Sequence, residues 1–226
     1  MASHRPQANL YGWHARALSG HPAVGRVACA VVTRIIAGSY GGRRLATPTG
    51  PDIRPTADRV REAMFSGLDA THVLYGRQFL DLYAGSGAVG LEAASRGAEH
   101  VLLVESDPKA IRVIRENIAT LGAGDIVTLA AQRVATVLAA GPPGVQGKRA
   151  NGQGYDVVFA DPPYAASEPD IAAMLRALVH GRWINDDGLV IIERSKRSPE
   201  PTWVHPVTAE RSRRYGEAML WYGRRS

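Results

Sequence analysis

Gln78-Phe-Leu-Asp-Leu-Tyr-Ala-Gly-Ser-Gly-Ala-Val-Gly90 is an apolar run broken by glycines that resumes as Leu91-Glu-Ala-Ala-Ser-Arg96. Gln78–Tyr83 predicts a strand and Val89–Arg96 a helix, with Gly85, Gly87 and Gly90 spaced as G-x-G-x-x-G at the turn between them. A turn without β-carbons lets a ligand press against the backbone at a helix N-terminus. Such a turn is often only a turn, and the same letters can hold a dinucleotide. Two acids sharpen the reading. Asp81 lies four residues before the first glycine, where a carboxylate can meet an ammonium group. Glu105 ends the next apolar run, 18 residues beyond Gly87, at the position from which an acid accepts both ribose hydroxyls. Tyr83, Ser86, Ser106 and Asp107 lie beside these groups in sequence and complete a candidate nucleoside site.

Outward from this turn, strands and helices alternate to the end of the chain. Strands are predicted at Gln78–Tyr83, His100–Glu105, Ile126–Ala130, Tyr155–Ala160, Gly188–Glu193, Trp203–Val207 and Ala218–Tyr222. Helices are predicted at Val89–Arg96, Pro108–Leu121, Val134–Ala139 and Pro169–His180. This pattern implies an α/β, Rossmann-like fold with a mostly parallel sheet covered on both faces. The last two strands have no helix between them, so the sheet is expected to end in an antiparallel hairpin. Upstream, Arg34-Ile-Ile-Ala37 and Arg43-Arg-Leu-Ala46 flank Gly38-Ser-Tyr-Gly-Gly42 and predict a small hairpin. A helix over Ala57–Leu68 follows, with Thr56 as N-cap. Gly and Pro crowd residues 141–154, which predicts a surface loop.

Asp161-Pro-Pro-Tyr164 follows the strand Tyr155–Ala160 and points to chemistry on an amine. The lone pair of a base amine is delocalised into its ring, so the nitrogen is a poor nucleophile. Asp161 and the Pro162 carbonyl can each accept an N–H hydrogen bond and hold the amine near tetrahedral geometry. Pro162 and Pro163 stiffen the loop, and Tyr164 can stack on a base. In-line placement before a sulfonium then supplies much of the acceleration. The alternative is a loop whose prolines merely stop a strand.

The chain has 226 residues, a net charge of +6 and a single cysteine, Cys29, which excludes an internal disulfide and a cysteine-based zinc cluster. That lone cysteine, upstream of the expected fold, also speaks against cytosine C5 chemistry, which needs a cysteine nucleophile. The length suits one α/β domain. The basic balance favours a polyanionic partner. No membrane span and no metal site are expected, and the chain reads as a cytoplasmic monomer. Residues 1–33 contain arginine but no acid. They read as a dispensable basic tail, a transit peptide or sequence upstream of the true start.

With these motifs in hand, the chain resembles the RsmD-type family of bacterial ribosomal RNA methyltransferases. The resemblance runs from about Arg34 to about Tyr222. It rests on Arg34-Ile-Ile-Ala-Gly38, Arg54-Pro-Thr-Ala-Asp-Arg-Val-Arg-Glu62, Asp81–Gly90 with Leu91-Glu92-Ala93, and Asp161–Tyr164. It implies a class I S-adenosylmethionine-dependent methyltransferase fold over residues 54–226, with a hairpin extension over 34–53 that helps hold RNA. It further implies S-adenosylmethionine as cofactor, with Glu105 on its ribose, and action by Asp161, Pro162 and Tyr164 on guanine N2. The substrate is then small-subunit (16S) ribosomal RNA, within an assembling particle. Candidate RNA contacts are Arg34, Arg43, Arg44, Arg54, Arg59 and Arg61, with Arg54 and Arg59 nearest the expected crevice. Arg59 and Arg61 cannot share a face, because residues two apart on a helix diverge by about 200°. Arg211, Arg213, Arg214 and Tyr215 form a second patch, which either clamps RNA or only solubilises a turn. Three rivals remain: an amino-methyltransferase acting on DNA, a nicotinamide oxidoreductase, and a non-catalytic RNA-binding protein on a methyltransferase scaffold. The first lacks room for a target-recognition domain, and the second leaves Asp81 and Asp161–Tyr164 without roles.

Overall fold

A computed structural model describes residues 33–48, 58–143 and 154–226. Most of the expected tail, the Thr56 cap, Arg54 and most of the 141–154 loop lie outside the described residues. Two short strands, β1 (Thr33–Arg34) and β2 (Arg44–Leu45), pair antiparallel as the predicted hairpin. Thr33 belongs to this hairpin and not to a tail, since its side chain is buried. Helix α1 (Asp58–Ala70) follows, and then β3 (Gln78–Leu82), α2 (Ala88–Ser95), β4 (His100–Glu105), α3 (Pro108–Leu121) and β5 (Val127–Ala131). The second half runs α4 (Val134–Ala140), β6 (Tyr155–Ala160), α5 (Glu168–His180), β7 (Ile184–Ser195), β8 (Val207–Tyr215) and β9 (Ala218–Arg225).

The main sheet has seven strands in the order β5-β4-β3-β6-β7-β9-β8. The first five are parallel to one another, and β9 runs antiparallel between β7 and β8. The order reverses at β3 and β6, and the crevice beyond the carboxyl ends of these two strands is where such a sheet binds ligands. Alternate side chains divide the core into two layers. Phe79, Val157, Phe159 and Ile191 face α1, α2 and the hairpin, whereas Leu80, Leu82, Val158 and Ile192 face α4 and α5. Such residues are removed from water almost completely, and each contributes about 1.5–3 kcal/mol by burial.

Local sequence fixes the helix ends that border the crevice. Asp107 caps α3 by accepting from the Ala110 N–H at 2.8 Å, Pro108 opens the helix, and Gly122 closes it in the left-handed conformation at φ 67°. Ser167 and Asp170 form a reciprocal capping box on α5.

Two strand assignments change. The predicted strand at Trp203–Val207 is a loop up to Pro206 that leads into β8, whose sequence Val-Thr-Ala-Glu-Arg-Ser-Arg-Arg-Tyr is mostly polar. An edge strand packs on one side only, so β8 carries no clean apolar alternation. Trp203 instead lies over Gly223, where a β-carbon would come within 2.4 Å of its ring. Likewise β7 begins at Ile184 and not at Gly188. Asn185-Asp-Asp187 precedes the predicted strand but lies within β7, where the register against β6 shifts between Tyr155 and Val157.

Candidate active site

The turn after β3 is built by left-handed backbone at Tyr83 (φ 61°), Gly85 (φ 58°) and Gly87 (φ 77°). Its glycines serve different ends. A β-carbon at Gly85 would meet nothing within 4 Å, so this residue leaves the backbone open to a ligand. A β-carbon at Gly90 would lie 2.2 Å from Leu103, so this residue lets α2 press against β4. Glu105 holds the turn from the neighbouring strand. Its Oε2 accepts from Gly85 N at 2.8 Å, and its Oε1 accepts from Ser106 N at 2.6 Å and Asp107 N at 2.8 Å. Ser86 is held through its carbonyl, which accepts from Asn117 Nδ2 at 3.0 Å. The same amide of buried Asn117 exchanges two hydrogen bonds with the backbone of Ala46, tying the glycine turn to the hairpin.

Asp81 is buried, and its Oδ2 accepts from Gly90 N at 2.9 Å, which pins the first turn of α2. Burial pushes its carboxyl up to about 7, with Glu105 adding to the rise and the Gly90 hydrogen bond opposing it. Asp161 follows β6 beside this group, and its N–H donates to the Leu82 carbonyl at 3.4 Å. Poor solvation raises the Asp161 carboxyl well above the usual carboxylate range, and the like charges of Glu193 and Asp81 raise it further. Pro162 is buried, Pro163 is exposed and accepts from Ala166 N at 2.8 Å, and the Tyr164 ring is 75% exposed. Half-buried Tyr83 completes the rim, its phenol raised by burial and by Asp170.

All the predicted cofactor and catalytic positions therefore gather at the carboxyl ends of β3, β4 and β6. Asp81, Glu105, Asp161 and Glu193 bring four carboxyl groups to this crevice, and the raised Asp81 and Asp161 hold their protons more tightly than ordinary aspartates. A ligand bearing a sulfonium and an ammonium group favours their ionised forms, whereas the pyrophosphate of a dinucleotide gains nothing from them.

The predicted basic residues scatter more. Arg34, Arg44 and Arg59 are exposed. Arg43 is exposed too, but its guanidinium donates to the Leu121 carbonyl at 3.2 Å and to that of Thr120, so it caps α3. Arg61 is no surface contact. It is completely buried, 3.1 Å from Asp58 and 3.7 Å from buried Glu92, and it donates to the Arg34 carbonyl. Burial lowers its pKa against the pull of Asp58 and Glu92. The divergence of Arg59 and Arg61 follows from helical spacing.

Glu92 and Ser95 escaped the reading of the sequence as functional positions. Glu92 accepts from Ile36 N at 2.7 Å, Ala37 N at 3.1 Å and Arg96 Nε at 2.7 Å, and Ser95 Oγ accepts from Tyr40 N at 2.9 Å. Together they dock the hairpin onto α2. The available signal was a charged residue within the otherwise apolar Ala88-Val-Gly-Leu-Glu-Ala-Ala94.

Residues 33–224 match the family described as Conserved hypothetical protein 95. The chain belongs to this family, the RsmD type. Its RsmD-type relatives include ribosomal RNA small subunit methyltransferase D of Escherichia coli K12, 34% identical over 75% of this chain and 78% of that protein. YlbH of Bacillus subtilis is 32% identical over 81% of this chain and 94% of its own length. The solved structure of Escherichia coli yhhF superposes with a TM-score of 0.71 at 32% identity, covering 86% of this chain and 98% of that one. The RsmD-type chain has the class I S-adenosylmethionine-dependent methyltransferase fold, with a small hairpin sheet added at its amino-terminal side. Among the described residues, no helix is long and apolar enough to cross a membrane.

Proposed function

We propose that this protein transfers a methyl group from S-adenosylmethionine to the exocyclic N2 amine of a guanine in small-subunit ribosomal RNA. One observation carries the reading: Asp161 and Pro162 directly follow β6, one strand away from a glycine turn that opens onto free space at Gly85. The name of the Escherichia coli relative supports the substrate class. When bound, S-adenosylmethionine supplies an electrophilic methyl carbon on a positively charged sulfur.

The chain's own residues do the rest. The Gly85 backbone leaves room for the ligand, and Glu105 keeps about one lone-pair site, on Oε2, for a ribose hydroxyl beyond its three backbone bonds. Asp161 and the Pro162 carbonyl accept the two N–H bonds of the amine, which draws its lone pair out of conjugation. Burial and the like charges of Glu193 and Asp81 raise the Asp161 carboxyl, so its ionised form, where a bound cation favours it, would accept a proton from the amine more readily than an ordinary aspartate. Tyr164 offers an exposed ring for stacking, worth about 1–3 kcal/mol. A guanine amine inside a helix is hidden from this crevice, so the target is unpaired or flipped out, as in an assembling particle.

The test compares wild type with Asp161→Ala on small ribosomal subunits and radiolabelled S-adenosylmethionine. Label transfer should fall by about 10²–10³-fold, as for loss of one positioned polar group, while cofactor binding measured by calorimetry survives. Undiminished transfer would sink the mechanism.

A further inference from the structure

We propose that the outer strand β8 is an RNA-backbone platform, with Arg211 and Arg213 binding phosphates of the strand whose base sits at Asp161. The proposal rests on the RNA reading above and assigns a surface to it.

The register places these residues in line. Asp161 and Glu193 each stand one position beyond the paired residues Ala160 and Ile192 of β6 and β7. Glu193 pairs with Leu220 of β9, and Leu220 pairs in turn with Arg213 of β8. Leu220 belongs to the core layer that contains Phe159 and Ile191, so the row lies on the face toward which Asp161 points. Neighbouring strands are about 4.8 Å apart, so three steps put Arg213 about 14 Å from Asp161. That span reaches phosphates flanking a base held in the crevice.

Strand alternation gives Arg211 the same face as Arg213. The Arg211 guanidinium stacks 4.3 Å from the centre of the Tyr222 ring and donates to Glu210. This holds the group in place while leaving most of its five N–H donors for a ligand. Arg213 is exposed and makes no ion pair among the described residues. Glu210, the only acid of β8, is shared between Arg211 and Arg224, so the strand remains positively charged. Arg214 alternates to the opposite face, where its Nε donates to the Gly216 carbonyl at 3.2 Å. It provides an internal control of equal charge.

Phosphate contacts are largely independent of sequence, so a fluorescein-labelled single-stranded RNA of mixed sequence can report on the platform without methylation. Anisotropy titrations over a range of salt concentrations would compare wild type with Arg213→Ala, Arg211→Ala, Arg213→Lys and Arg214→Ala. Arg213→Ala and Arg211→Ala should each weaken binding and reduce the slope of log K against log salt by about 0.7. Arg213→Lys should keep the slope, Arg214→Ala should behave as wild type, and cofactor affinity should be unchanged throughout. Equal losses from Arg213→Ala and Arg214→Ala, or unaltered slopes, would overturn the platform. Face-specific losses combined with no methyl transfer by wild type would keep the platform and remove the proposed reaction.

Discussion

Replacing Asp81 by asparagine should make this protein more stable and its cofactor site worse, with the stability gain set by pH. Asparagine keeps the size of the side chain and an oxygen to accept from Gly90 N, so the packing of α2 on β3 survives. What changes is charge. Burial raises the Asp81 carboxyl from 3.8 to about 7. At 1.36 kcal/mol for each tenfold change in its protonation equilibrium, ionising this group costs the folded state about 4 kcal/mol above pH 7. The folded protein keeps this proton up to about pH 7, whereas the unfolded chain loses it near 4. Between those limits the folded state binds more protons, so wild-type stability falls as pH rises. The substituted amide does not titrate, and Asp81→Asn should gain about 4 kcal/mol at pH 8 but only about 2 kcal/mol at pH 5. Urea unfolding of both proteins at matched ionic strength reads the difference directly. A difference that stays constant from pH 5 to pH 8 would refute the buried, half-titrated carboxyl.

The same electrostatics predicts that S-adenosylmethionine binding expels protons near pH 6.5, because a cationic ligand favours ionised Asp81 and Asp161. Calorimetry in buffers of different ionisation enthalpy should show the release, with affinity rising as pH rises toward 7; identical heats in all buffers would contradict it. Gly38→Ala places a β-carbon 1.9 Å from the Ser95 carbonyl at a φ of 82°, and should cost about 1–3 kcal/mol. RNA methylation should drop with cofactor affinity intact, and unchanged RNA methylation would show that the docked hairpin plays no part in it. Asn117→Ala leaves backbone groups of Ala46 and Ser86 without their partner, so thermal unfolding should show a loss of about 3 kcal/mol. The cofactor KM should rise with it. A merely local role for Asn117 would leave that KM unmoved.

Much of the site could be read in the sequence because short segments impose it. Gly85, Gly87 and Gly90 stand where positive φ or close helix packing admits no side chain, and Asp161-Pro-Pro-Tyr164 ends a run apolar enough to be a central strand. Elements buried on both faces carry their own periodicity, which is why β3, β4 and β6 were legible nearly to the residue. β8 was not, since an edge strand bearing Arg211, Arg213 and Arg214 obeys its neighbour β9 more than its own pattern. Arg61 misled for a related reason. Its charge suggests a surface, but the partner that permits its burial, Glu92, lies 31 positions away and meets it only in the fold. Glu193 is likewise invisible as a neighbour of Asp161 until the parallel register of β6 and β7 is known.

The proposed reaction is tested as a whole by giving purified protein radiolabelled S-adenosylmethionine and small ribosomal subunits from cells lacking the enzyme, then digesting the RNA to nucleosides. The label should elute as N2-methylguanosine. Label on another base amine, or none despite measured cofactor binding, would contradict the assignment.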